Sequence, residues 1–146
     1  MRASTNPWKS YQQVATQTAP PGQLVLMLYD GAAKFLERAL TGFSLDDPAE
    51  FNQTINNNLL RAQDIIFELN VTLNIRDGGE LAMTLRRLYD YMDRRLVEAN
   101  MKKEKSIIEE ILRRVIVLRD AWSQMLSKQV ESIMEGDSSR NVLAAA

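Results

Sequence analysis

The stretch Leu81–Asn100, LAMTLRRLYDYMDRRLVEAN, decides the fold class. At about 100° per residue, Leu81, Leu85, Leu88, Tyr89, Met92, Leu96 and Ala99 share one face of a helix. Arg86, Arg87, Asp90, Asp93, Arg94 and Glu98 fill the remainder, and the spacings Arg86 to Asp90 and Arg94 to Glu98 suit i, i+4 ion pairs. The pattern predicts a surface helix with one dry side, which must pack against other helices. Tyr91 falls about 120° from the stripe, on the flank where a bundle meets solvent or a partner.

Working upstream, Pro20-Pro21-Gly22 breaks the chain and starts a helix near Pro21. From Leu24 to Phe43 apolar residues cover more than half of the circumference: Leu24, Leu28, Ala32, Phe35 and Ala39, widened by Met27, Tyr29, Leu36 and Leu40. A helix this apolar must be covered on several sides. Gly31 within it weakens the helix by about 1 kcal/mol relative to alanine and points to a close neighbour. A loop from Gly42 to Asp46 follows, and then a strong start signal: Asp47 as cap, Pro48 in the first turn, and Glu50 placed to reach back.

Phe51, Ile55, Leu59, Ala62, Ile66, Leu69 and Leu73 recur at spacings of four and three, which is a core stripe. The same helix carries a second apolar set, Leu60, Phe67 and Val71, projecting to roughly the opposite side. Either another part of the chain covers this set or it is a binding surface. Arg76-Asp77-Gly78-Gly79 reads as the turn into the opening stretch, and Asn100 as its left-handed cap. A last helix from about Glu104 to Ile133 turns Ile107, Ile111, Val115, Leu118, Trp122 and Met125 inward, with Arg119 and Gln129 as the polar residues near that face.

No apolar alternation of period two persists anywhere, so the predicted fold is all-α: an antiparallel four-helix bundle over residues 20–135. Residues 1–19 read as an N-terminal arm or helical turn, or else as a disordered terminus, whose larger apolar side chains are Trp8, Tyr11 and Val14. The tail, 136–146, shows no pattern and reads as disordered, its alanines as part of a cloning scar.

Composition excludes most chemistry. The 146 residues contain neither histidine nor cysteine, which removes thiol nucleophiles, disulfides, Cys/His zinc sites and histidine ligation. Eighteen basic residues against nineteen acidic ones are interleaved along the chain, so nucleic acid is not an expected partner. The N-terminus lacks the apolar core of a signal peptide, and the run Leu24–Tyr29 is too short to span a bilayer. A soluble, cytoplasmic protein is expected. Glu109-Glu110 and Asp46-Asp47 point to different sides and form no metal site, and no cofactor is implied.

With core residues accounted for, four features remain: the all-round apolar first helix, the set Leu60, Phe67 and Val71, the flanking Tyr91, and the arm with Trp8, Tyr11 and Val14. Together they describe a bundle with apolar surface to spare, suited to a partner and to self-association of the free protein as a homodimer.

Four blocks in order give this chain a family likeness: MLYDG at 27–31, RAQDIIFELNVTLN at 61–74, LYDYMDRRLVEAN at 88–100 and RDAW at 119–122. With the Pro-Gly-x-Leu entry at Pro21, they make the sequence resemble the flagellar secretion chaperone FliS family from about Trp8 to Gln129. The resemblance implies a helical bundle that binds the disordered C-terminal region of flagellin. It further implies that premature polymerisation is blocked and that the client is delivered to the flagellar type III export gate. Client-binding candidates are then Leu60, Phe67, Val71 and Tyr91, together with the exposed side of the first helix; gate-recognition candidates are Trp8, Tyr11 and Val14. Trp8 stands where the family usually has a smaller aliphatic residue, and Pro20 where many relatives carry a capping Ser or Thr. The rival readings are a helical adaptor with another client and a small helical enzyme of the chorismate mutase kind.

Overall fold

A computed structural model describes residues 21–135, which form four helices and no strand. Helix α1 runs Pro21–Thr41, α2 Pro48–Val71, α3 Ile75–Lys102 and α4 Lys105–Glu135. Contacts run α1 to α2, α2 to α3, α3 to α4 and α4 back to α1, so the helices close a square with α1 and α3 on one diagonal. Neighbours are antiparallel. Across the α2–α3 seam Asn56 meets Asn100, Gln63 meets Asp93 and Asn70 meets Asp90. Across α1–α4, Gly22 meets Trp122 and Asp30 meets Arg119.

Pro21 and Asp47 act as read, while the Glu50 side chain makes no return bond to complete the capping box. Pro21 opens α1, and the Asp47 carboxylate accepts from the Glu50 amide at 2.9 Å at the head of α2, satisfying an otherwise orphaned donor. Between them the predicted loop opens with a 3-10 turn, Gly42–Ser44. Gly42 is needed there for approach: a Cβ on it would lie 2.8 Å from Ile55 Cγ1.

The core is drawn from all four helices. Helix α1 is covered on two sides, as an apolar arc of more than half its circumference requires, and buries Leu28, Tyr29, Ala32, Phe35, Leu36 and Ala39, with Val25 and Ala33 in addition; Gly31 is buried too. On α2, Ile55, Leu59, Ala62, Ile66 and Leu69 are buried and Ile65 joins them, while Phe51 packs on the rim; Leu73, expected to continue this stripe, lies just past the end of α2 and packs there against the core. Ile107, Ile111, Val115 and Trp122 are buried on α4, with Leu118 and Met125 partly so. The Trp122 indole donates to the Gly22 carbonyl at 2.8 Å, pinning the far part of α4 to the first turn of α1.

Several local expectations are corrected. The turn between α2 and α3 is shorter than Arg76–Gly79 suggested: α2 ends at Val71, and Asn74 already caps α3 by accepting from the Asp77 amide at 3.1 Å. The glycines instead place a kink inside α3, where Gly79 has φ 57° and ψ −133°, a conformation open to glycine alone. Leu81, expected in the dry stripe, is exposed in the first turn beyond that kink at the end of the bundle, and Ala82 is buried instead. The left-handed residue that ends α3 is Lys103 (φ 51°, ψ 52°), three positions after Asn100. Asn100 has other work, since its amide donates to Asn56 across the seam.

Neither ion pair expected along α3 forms. Asp90 accepts from Asn70, Arg86 donates to Asn70, and Glu98 is held by Arg95 and Lys102. For Arg86 and Asp90 a fixed tertiary partner, Asn70, outcompetes an exposed i, i+4 pair worth a few tenths of a kcal/mol, whereas Glu98 is taken by two other residues of its own helix.

Candidate protein-binding surface

Leu60, Phe67 and Val71 remain outside the core, with 49%, 66% and 53% of their surface exposed. The reason is the row beside them. Asn56, Gln63 and Asn70 repeat every seven residues and so share the edge of α2 that faces α3. There they form a polar ladder: Asn100 donates to Asn56 at 2.9 Å, Gln63 to Asp93 at 3.0 Å and Asn70 to Asp90 at 3.0 Å. Arg86 adds two more bonds, to the side-chain oxygen and the carbonyl of Asn70. The ladder closes the seam with satisfied polar groups, and the apolar row lies roughly 40–80° beyond it, where no helix of the bundle reaches.

Helix α3 mirrors this arrangement. Met83, Val97 and Met101 are exposed, and helical geometry puts them on the outward side of the same ladder. Two exposed apolar rows therefore flank a polar seam. A depression of about 120 Å³ opens in that seam, lined by Phe67, Asn70, Asp90 and Asp93, with Tyr89 and Ile66 beneath. The sequence reading missed the α3 row. Its signal was available, because Val97 lies four positions after the ladder residue Asp93 just as Phe67 lies four after Gln63.

Tyr91 is not brought to this face. It sits half-buried on the α3–α4 seam, where its hydroxyl donates to Glu110 at 2.7 Å and the Arg114 guanidinium lies 5.2 Å from its ring centre. The hydrogen bond from Tyr91, followed by that from Arg114, holds the Glu110 carboxyl below its ordinary pKa. Nor is the outward side of α1 apolar. Asp30, Lys34, Glu37 and Arg38 occupy it, and its remaining apolar residues are at least partly buried. Trp8, Tyr11 and Val14 lie outside the described residues.

Among the described residues no three acidic side chains cluster as metal ligands, and no helix is long and apolar enough to cross a membrane. Of the two polar residues expected near the interior of α4, Arg119 reaches Asp30 at 3.7 Å, and Gln129 is buried with its side-chain oxygen unpartnered.

The family model described as Flagellar protein FliS matches residues 4–129. The chain belongs to the FliS family. The Flagellar secretion chaperone FliS of Bacillus subtilis is 42% identical over 127 residues, covering 87% of this chain and 91% of that protein. That of Salmonella typhimurium is 36% identical, covering 82% and 90%, and FliSB of Pseudomonas aeruginosa is 33% identical, covering 78% and 90%. The FliS family is one of flagellar export chaperones and not of enzymes, and the matched span runs from the arm to the buried Gln129 of α4.

The four FliS-like blocks meet one another in the fold. Tyr29 and Asp30 of the first touch Tyr89 of the third and Arg119 of the fourth, and Asn70 of the second bonds to Asp90 of the third. Much of the FliS signature thus lies in the contacts that assemble the bundle and its ladder.

Proposed function

We propose that this protein is a cytoplasmic chaperone for flagellin, holding the disordered C-terminal segment of its client so that the client cannot polymerise before export, and helping to deliver it to the flagellar type III export gate. The observation that supports this most directly is the pair of exposed apolar rows, Leu60, Phe67 and Val71 on α2 and Met83, Val97 and Met101 on α3. A disordered segment gains by covering such a surface, and the apolar area it buries offsets its ordering cost. Its anchors at helical spacing would lie along the seam, with the ladder between the rows fixing register and the depression beside Phe67 receiving one side chain. The work is equilibrium binding, and it calls on no cofactor or nucleotide.

The N-terminal arm, with Trp8, Tyr11 and Val14, is assigned to gate recognition and to covering part of the client surface when no client is bound. Tyr91 keeps a client role only if the segment continues past α3 to the far seam.

Calorimetric titration with the C-terminal peptide of flagellin tests this reading. Phe67→Asp should weaken binding tenfold or more, about 1.4 kcal/mol, while thermal unfolding is nearly unchanged, because the side chain is already mostly in water. Leu69→Asp, two residues on and 2% exposed, should unfold the bundle by burying an unpaired charge. Full affinity in Phe67→Asp, or its unfolding, would refute the surface assignment. The same titration on the chain lacking residues 1–15 tests the arm, which is expected to alter client or gate affinity and leave the fold intact.

A further inference from the structure

A second groove, on the other side of α3, is not used by the client surface described above. It runs along the α3–α4 seam as an open depression of about 380 Å³ between Leu88 of α3 and Val117 and Leu118 of α4. Val117 is 67% exposed, a β-branched apolar side chain left in water at the groove's edge. Leu81, one heptad before Leu88 on the same side of α3, is also exposed.

The rim is basic. Glu110 is the carboxylate that lines the groove, and it is already committed: Tyr91 and Arg114 donate to it at 2.7 and 2.9 Å, and Arg95 stands at 3.7 Å. Its charge is thus answered within the bundle. Arg113, exposed on the rim, forms no ion pair among the described residues, and Glu109 one turn before it stands outside ion-pair range. Arg87, on the outer side of α3, is likewise without an ion pair and donates only to the Thr84 hydroxyl. An open apolar trough edged by unanswered guanidinium groups complements one kind of segment: an apolar row flanked by carboxylates.

We propose that the α3–α4 seam is a second docking groove that takes an acidic amphipathic helix of a partner protein, with its apolar residues over Leu88, Val117 and Leu118 and its carboxylates on Arg113 and Arg87. The concave shape favours a helix over a flat lipid surface. Because α3 separates this groove from Leu60, Phe67 and Val71, both surfaces can be occupied together, and the proposal stands whether or not flagellin binds the first.

The test uses the full chain, isotopically labelled for NMR, and a synthetic helical peptide of about 15 residues with leucines at i, i+3, i+4 and i+7 and glutamates on both flanks. Saturable shift changes should cluster at Leu88, Arg113, Arg114, Val117 and Leu118. Arg113→Glu and Val117→Asp should each weaken binding tenfold or more with circular dichroism unchanged, and the same peptide with lysines for glutamates should not bind. Equal binding of the lysine peptide, or shifts centred on Phe67, would overturn the proposal. So would concentration-dependent shifts in the groove without peptide, which would assign it to a second copy, or binding of anionic phospholipid vesicles but not of the peptide through the same arginines.

Discussion

Removing the hydroxyl of Tyr29 or Tyr89 alone should cost more than removing both. The two phenols come from helices on the bundle's diagonal, each is 1% exposed, and their hydroxyls bond to each other in the core. Tyr29→Phe leaves the Tyr89 hydroxyl buried without its partner, and Tyr89→Phe does the converse. An unsatisfied buried group costs about 1–3 kcal/mol, whereas replacing both partners with apolar groups of the same shape is nearly neutral. A double-mutant cycle should therefore give a coupling of about 2 kcal/mol or more, with the double variant more stable than at least one of the singles.

Urea unfolding measures this. With a slope of about 2 kcal/mol per molar, a single variant losing about 2 kcal/mol should unfold about 1 M earlier, while the double variant stays near the parent. Alkaline titration gives an independent check. Burial pushes both phenol pKa values up, so their stabilising effect is complete below the unfolded value near 10 and is lost as pH rises above it. As pH rises above 10 the parent should lose more stability than the double variant. Additive single variants, or identical alkaline curves, would show that the two hydroxyls are not a buried pair.

Further predictions concern the turn and the α3–α4 seam. Gly42→Ala should destabilise by about 1–3 kcal/mol, read by thermal unfolding, because the added methyl meets Ile55 Cγ1 at 2.8 Å; an unchanged melting temperature would mean the turn yields freely. At Gly79, where no atom lies within 4 Å of a built Cβ, alanine should still cost about 1–3 kcal/mol from backbone conformation alone. The Glu110 carboxyl is held below its ordinary pKa, so its contribution is present above the unfolded value and fades as pH falls through the lower folded one. Glu110→Gln should accordingly flatten the acid side of the stability profile, and an unaltered profile would show that the Tyr91 and Arg114 bonds are not kept in solution.

Helix number, the starts of α1, α2 and α4 and most of the core were legible because they depend on local chemistry. A proline at N1, a capping aspartate and a 3.6-residue repeat act within a few turns of chain, and Asp47, Pro48 and the stripe from Ile55 to Leu69 behave as read. The exposed set Leu60, Phe67 and Val71 was legible for the same reason, being apolar residues on the wrong side of an amphipathic helix. Helix ends were read less well: Asn100 gave way to Lys103, and Arg76–Gly79 became a capped turn with a kink. Several conformations there satisfy the same residues, and the neighbouring helix selects among them.

What a residue's polar atoms bind was decided by the tertiary structure. Tyr89 was read only as a member of the dry stripe, and the diagonal packing of α1 against α3 is what supplies Tyr29 as a partner for its hydroxyl. Asp90 and Arg86 were spaced to pair with each other, yet α2 presents Asn70 to both. Tyr91 was grouped with Phe67 as one surface, and the square arrangement of helices sends them to different seams. A sequence fixes the direction of a side chain relative to its own helix axis through the 100° step. Which helix stands in that direction depends on how four axes are arranged in space, and no spacing within one segment contains that information. The fold class of this protein was therefore written in single helices, whereas the division of its surface into an exposed apolar face along the α2–α3 seam and a groove along the α3–α4 seam exists only between them.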